Sequence, residues 1–156
     1  VLHAFHWVEG QLPEDVELDT FIPLLIGTGG NAGSQTVGTI IRGLALGEIH
    51  PGDTLRVVGR EMLTGLLLGV LMGALGFLIT WLIIGHSVGF GLVIGLALLG
   101  ICVWANVIGA LVPLLARRCK LDPALVSAPL ISTLVDATGL CIFYTVAIVL
   151  LIKFRL

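Results

Sequence analysis

Asp136 is the residue with the most chemical consequence in this 156-residue chain, because the stretch from Ala124 to Ile152 carries no other charge. A carboxylate in hydrocarbon costs at least about 2.5–3.5 kcal/mol on insertion scales. It stands 13 residues after Pro123 and 17 before Lys153. At about 1.5 Å per residue those counts put it about 20 and 25 Å from the two ends of a helix, near the midplane. No Lys, Arg or His lies at that depth to pair with it. Two readings remain: a protonated acid hydrogen-bonded across helices, or a site for an ion or proton. On its own helix Asp136 shares a face with Pro129, Ser132, Gly139 and Phe143, at steps of three and four residues.

A second polar group falls at matching depth. Asn31 lies 11 residues after Thr20 and 11 before Arg42, inside the run Gly27 to Thr36, GTGGNAGSQT. Gly27, Gly29, Gly30 and Gly33 weaken the helix there and bare carbonyl oxygens, and Asn31, Ser34 and Gln35 add neutral oxygen donors. Two mid-membrane oxygen clusters, one of them anionic, point to a cation site more than to close packing alone. With no thiolate or imidazole beside them, zinc and copper are disfavoured. Magnesium, calcium, manganese and sodium remain. A single Asp136 per chain, doubled across a symmetric dimer, suits a largely hydrated magnesium ion, which gives up its waters reluctantly.

Enzyme chemistry finds little support. An aspartyl hydrolase needs two carboxylates sharing a site, and each chain has one at depth; no His lies near Ser34, Ser132 or Asp136 to activate a hydroxyl. Cys102, Cys119 and Cys141 form no C-x-x-C pair, and Cys102 and Cys141 read as small apolar core residues. His3 and His6 read as an interface feature, and His50 and His86 as loop residues.

The elements that must hold these groups are membrane helices. The chain is 57% hydrophobic and 12% charged, with a mean hydropathy of +1.11; soluble domains run about 25% charged. A net charge of −2 gives no reason to expect a nucleic-acid partner. Met62 to Ile84 and Ser87 to Ala116 carry no charge, and neither does Thr20 to Ile41, whose polar middle must face protein or water. The expectation is an all-α, polytopic helical membrane protein with four full transmembrane helices, over about residues 20–41, 62–84, 88–116 and 124–152. Residues 20–156 then form a membrane pore domain. Arg42, Arg56, Arg60, Arg117, Arg118 and Lys120 fall on one side and only Lys153 and Arg155 on the other, which assigns the first set to the cytoplasm. Residues 1–19, with Glu9, Glu14, Asp15, Glu17 and Asp19, become an extracytoplasmic acidic segment, and Val1 to Val8 the possible tail of a preceding helix. Gly65, Gly69 and Gly73, and again Gly91 and Gly95, have the spacing that lets helix backbones approach closely; contact within one chain is favoured over a dimer seam. Trp7 and Trp81 suit the membrane interface, whereas Trp104 lies too deep for that role.

At these residues the sequence resembles the membrane domain of the MgtE-type magnesium transporters and channels. The likeness is carried by GGNAGSQ (Gly29 to Gln35), RGLALGEI (Arg42 to Ile49), ANVIGALVP (Ala105 to Pro113), LDPA (Leu121 to Ala124) and PLISTLVDATG (Pro129 to Gly139). The resemblance implies a homodimer in the cell (plasma or inner) membrane, five helices per subunit, and a pore on the dimer axis lined by the first and last spans seen here. It implies Mg2+ as the transported ion, with the pore acid at Asp136 and neighbouring oxygen donors at Gly27, Asn31 and Ser132. The cytosolic regulatory domains usual in bacterial members have no counterpart in this stretch. Transport of another divalent ion such as Co2+, an ion-coupled carrier, and a membrane scaffold without transport are the alternatives.

Overall fold

The computed structural model describes residues 18–83, 87–122 and 126–153, and among these residues every element is helical. Four long helices make up the bundle: α1 (Ile22–Ala45), α2 (Thr54–Leu78), α3 (Val88–Arg118) and α4 (Ala128–Lys153). By length and apolarity three helical stretches in the described residues suffice to cross a membrane, corresponding to α2, α3 and α4. The first helix is long enough, but its glycine-rich and amide-rich middle keeps it below that apolarity. The segment Val1 to Val8, the acidic run up to Glu17, His3, His6, Trp7 and His86 lie outside the described residues.

Two helix starts differ from the uncharged runs. The second helix begins at Thr54, eight residues before Met62, and Arg56, Arg60 and Glu61 ride on its first turns. An uncharged run marks the part suited to lipid, and the helix simply continues past it. Its start is set by a tight connection: Gly47 adopts φ 72°, which glycine tolerates without strain, and Asp53 Oδ2 accepts from the His50 backbone N–H at 3.1 Å. The last helix begins at Ala128, where Ser127 Oγ accepts from the Leu130 N–H at 3.4 Å. Asp136 is therefore about 12 Å from the start of its helix, closer to that end than the count from Pro123 implies.

The third helix is the centre of the bundle and packs against the other three. Its buried face includes Phe90, Ile94, Leu98, Ile101, Ala105 and Leu114. Against it, α2 packs through glycine. A Cβ on Gly65 would lie 2.8 Å from the Cys102 carbonyl oxygen, one on Gly69 2.9 Å from that of Leu99, and one on Gly73 2.5 Å from that of Gly95. The repeated glycines thus make a helix contact inside the chain, backbone against backbone. Beyond Leu78 the helix widens into a π-turn, Ile79–Ile83, in which buried Thr80 donates to the Gly76 carbonyl at 2.7 Å. Trp81 is exposed on this last turn.

Cys102 is buried as expected; Cys141 instead lies exposed on the outer face of α4, and both are free thiols. Trp104, midway along α3 and exposed, finds its partner on the neighbouring helix: its indole N–H donates to Thr138 Oγ1 of α4 at 2.8 Å. Thr138 also donates to the Leu134 carbonyl at 2.7 Å and so keeps a bond of its own. Interhelical bonds in membranes average about 0.6 kcal/mol. Trp104→Phe should therefore lower the melting temperature in detergent by only a few degrees, and a loss of folding would mean this bond orders α4.

Candidate functional site

The acid sits on the seam between α1 and α4. These helices run antiparallel, with Gly29 against Val135, Gly30 against Ser132 and Asp136, and Gly33 against Ile131 and Val135. At the end of the seam Ser34 Oγ donates to the Ala128 carbonyl at 3.2 Å. Small residues on α1 are what bring it this close: a Cβ on Gly30 would lie 2.6 Å from Ser132 Oγ and 2.9 Å from Asp136 Oδ1.

The two carboxylate oxygens have different surroundings. Oδ2 accepts a long bond, 3.4 Å, from Ser132 Oγ one turn earlier on the same helix. Oδ1 is buried against Gly30 and has no hydrogen-bond partner among the described residues. An unpartnered buried acceptor carries a desolvation penalty of about 1–3 kcal/mol, more if it is charged. It is a group that a donor, a water or a cation would stabilise.

The four residues singled out from the sequence do not all meet. Asp136 and Ser132 are together. Gly27 and Asn31 lie on the exposed face of α1, and a Cβ on Gly27 would touch nothing within 4 Å. Asn31 lines a groove of about 360 Å3 between α1 and α2 with Gly27, Thr28, Gln35, Leu68 and Met72. At 100° per residue it is one step round the helix from Gly30, so it shares the level of Asp136 without touching it. Counting residues from the span ends put Asn31 and Asp136 at one level, and the contact seen is that of Gly30, the residue before Asn31, with the acid. Gly30 was not singled out as a site residue, and the only signal for it was its place in the glycine-rich run.

The exposed side of α1 is a polar stripe: Gly27, Asn31, Gln35, Gly38, Thr39 and Arg42 are all exposed in the single chain. Such a stripe does not face lipid. It ends at the seam holding Asp136. Among the described residues no three His, Cys, Asp or Glu side chains cluster to hold a metal, so one chain offers a carboxylate, a hydroxyl and amide oxygens.

The sequence that builds this seam has relatives. The MgtE family, described as a divalent cation transporter, matches residues 22–146. The chain belongs to this family. A magnesium transporter MgtE of Thermus thermophilus is 43% identical in a match 148 residues long that covers 92% of this chain and 31% of that protein. The MgtE magnesium transporter of Enterococcus faecalis is 36% identical over 89% of the chain, and that of Bacillus subtilis 29% over 90%. The chain spans about a third of the length of these curated MgtE relatives. Both α1 and the acid on α4 fall within the matched region.

Proposed function

We propose that this chain forms part of a multi-pass magnesium transporter of the cell membrane, and that Asp136 is the anionic group on the path of the ion. The observation that carries the reading is the Asp136 carboxylate itself, an acid in a long apolar helix with one buried oxygen that has no partner among the described residues. The MgtE membership supports a divalent cation as substrate, and the named relatives support magnesium.

The path lies between two copies of the chain. The polar stripe on α1 needs a partner that is not lipid, and a second copy related by a two-fold axis would give it an identical polar face. Two Asp136 carboxylates then share one ion. Ser132, Asn31 and the backbone around Gly27 supply neutral oxygens to the water shell of that ion. With two carboxylates and few further anionic donors, magnesium passes largely hydrated, in keeping with its slow loss of water. The protein moves the ion and does no covalent chemistry.

Magnesium uptake into liposomes carrying the reconstituted protein and an internal magnesium indicator tests this directly. Uptake above that of protein-free liposomes is expected, with competition by cobalt and little by sodium. No uptake above the empty vesicles would refute the reading. Uptake that requires a proton or sodium gradient would make the protein a coupled carrier.

The glycine beside the acid allows a second probe that leaves the carboxylate in place. In Gly30→Ala the new methyl must displace Ser132 Oγ or Asp136 Oδ1, both closer than 3 Å to its position. Uptake should fall several-fold while the protein still folds, since side-chain atoms can give way. Unchanged uptake in a folded Gly30→Ala protein would place the ion away from this seam.

A further inference from the structure

The interior of the bundle is apolar except at a few points, and one of them ties α1 to α3. Thr36 Oγ1 donates to Asn106 Oδ1 at 2.8 Å, and Asn106 Nδ2 donates to the Cys102 carbonyl at 2.9 Å. Thr36 is 6% exposed and Asn106 3%. The packing leaves this pair little room to rearrange: a Cβ on Gly109 would lie 3.0 Å from Thr36 Cβ, and one on Gly65 of α2 would lie 3.0 Å from Asn106 Cβ. Asn106 thus stands where α1, α2 and α3 meet.

Its importance comes from where Thr36 sits on α1. Nine residues at 100° separate Gly27 from Thr36, which puts them on opposite faces, and Asn31 is about 140° from Thr36. The Thr36 bond therefore holds the rear of the helix whose front is the polar stripe. The glycine contacts beside it, at Gly33 and Gly109, permit close approach without a directional bond, and the other directional bond nearby, Ser34 Oγ to the Ala128 carbonyl at 3.2 Å, is longer and exposed. A hydrogen bond weakens steeply as its angle falls, so it opposes rotation where glycine packing does not. A turn of α1 by about 20° would move a donor about 5 Å from its axis by nearly 2 Å. Displacements of that size decide whether a ring of oxygens fits one ion's shell or another's.

We propose that Asn106, through Thr36, is a positioning residue for ion selection: it sets the rotation of α1, and so which oxygens α1 presents at the level of Asp136. This rests on the reading of the Asp136 seam as a cation path. Neither side chain touches the ion.

The test is magnesium uptake by the reconstituted protein, with half-saturation and the preference for magnesium over calcium measured for wild type, Thr36→Val, Thr36→Ala and Thr36→Ser, alongside melting temperatures. Valine keeps the shape and removes the donor; serine keeps the donor. The valine and alanine proteins should each shift half-saturation or the magnesium–calcium preference at least threefold, and serine should stay within twofold of wild type. Folded valine or alanine proteins that melt lower but keep both transport parameters would make the bond a stability element and overturn the proposal. So would a series in which only the serine protein folds and it behaves as wild type. A wild-type protein that takes up no magnesium would overturn the cation-path reading and this proposal with it.

Discussion

Asp136→Asn is expected to reduce magnesium uptake more than tenfold while leaving the melting temperature unchanged or raised. The two effects have opposite signs for one reason. Asparagine keeps the shape of the side chain and an acceptor oxygen for Ser132 Oγ but removes the charge. A divalent ion about 5 Å from a carboxylate, at an effective dielectric of about 20, interacts with it by about 6–7 kcal/mol. The ion's own waters and the lost hydration of the acid offset much of this, and a remainder of about 1.4 kcal/mol is already tenfold. In the protein without an ion, the same carboxylate costs at least about 2.5–3.5 kcal/mol to hold at depth, so its removal relieves the fold. Uptake by reconstituted protein and thermal unfolding in detergent measure the two quantities. A folded Asp136→Asn protein that transports at the wild-type rate would remove the acid from the ion path. A protein that no longer folds would make the acid a structural element.

Gly73→Ala is expected to be the most damaging single methyl in the bundle. Its Cβ would sit 2.5 Å from the Gly95 carbonyl oxygen, where even a favourable C–H···O contact needs about 3.3 Å. The obstacle is backbone, so no side chain can step aside. The helices α2 and α3 must separate, which loosens the Gly65 and Gly69 contacts on the same face as well. Overpacking of this kind costs about 1–3 kcal/mol or more. A drop of ten degrees or more in melting temperature, or loss of folded protein, is the expected result. Gly59→Ala, on the same helix, should do the reverse. Gly59 is exposed and its Cβ would meet nothing within 4 Å, so alanine gains up to about 1 kcal/mol of helix propensity. Equal effects at the two positions would mean that the glycine seam between α2 and α3 does not hold the bundle together.

Much of the architecture was legible because lipid imposes simple constraints. A lone acid in an uncharged run of apolar residues is visible without any structure, and so is a polar middle in an otherwise apolar helix. The glycine spacing on α2 announced a close helix contact, and a contact within the chain is what it makes. What could not be read was how each helix is turned about its axis. Gly29 and Gly30 are equivalent as sequence, yet one meets Ile101 and Val135 and the other meets the acid. That difference is decided by how α1 seats against α4. Asn106 was visible as part of a small and polar stripe with Cys102, Gly109 and Pro113, but its partner Thr36 is 70 residues away and no local pattern links them. The starts of α2 and α4 escaped for another reason. They depend on a φ of 72° at Gly47 and on a capping serine at 127, neither of which an absence of charge reports.

The way α1 is covered also bears on how such a protein is made. The helix packs chiefly on α3 and α4, and scarcely on α2, the helix that follows it. During synthesis it therefore emerges well before the surfaces that bury its rear face. Of the four helices it is also the one whose composition least favours lipid. Among the described residues, the packing that buries its rear face comes from helices made only after α2.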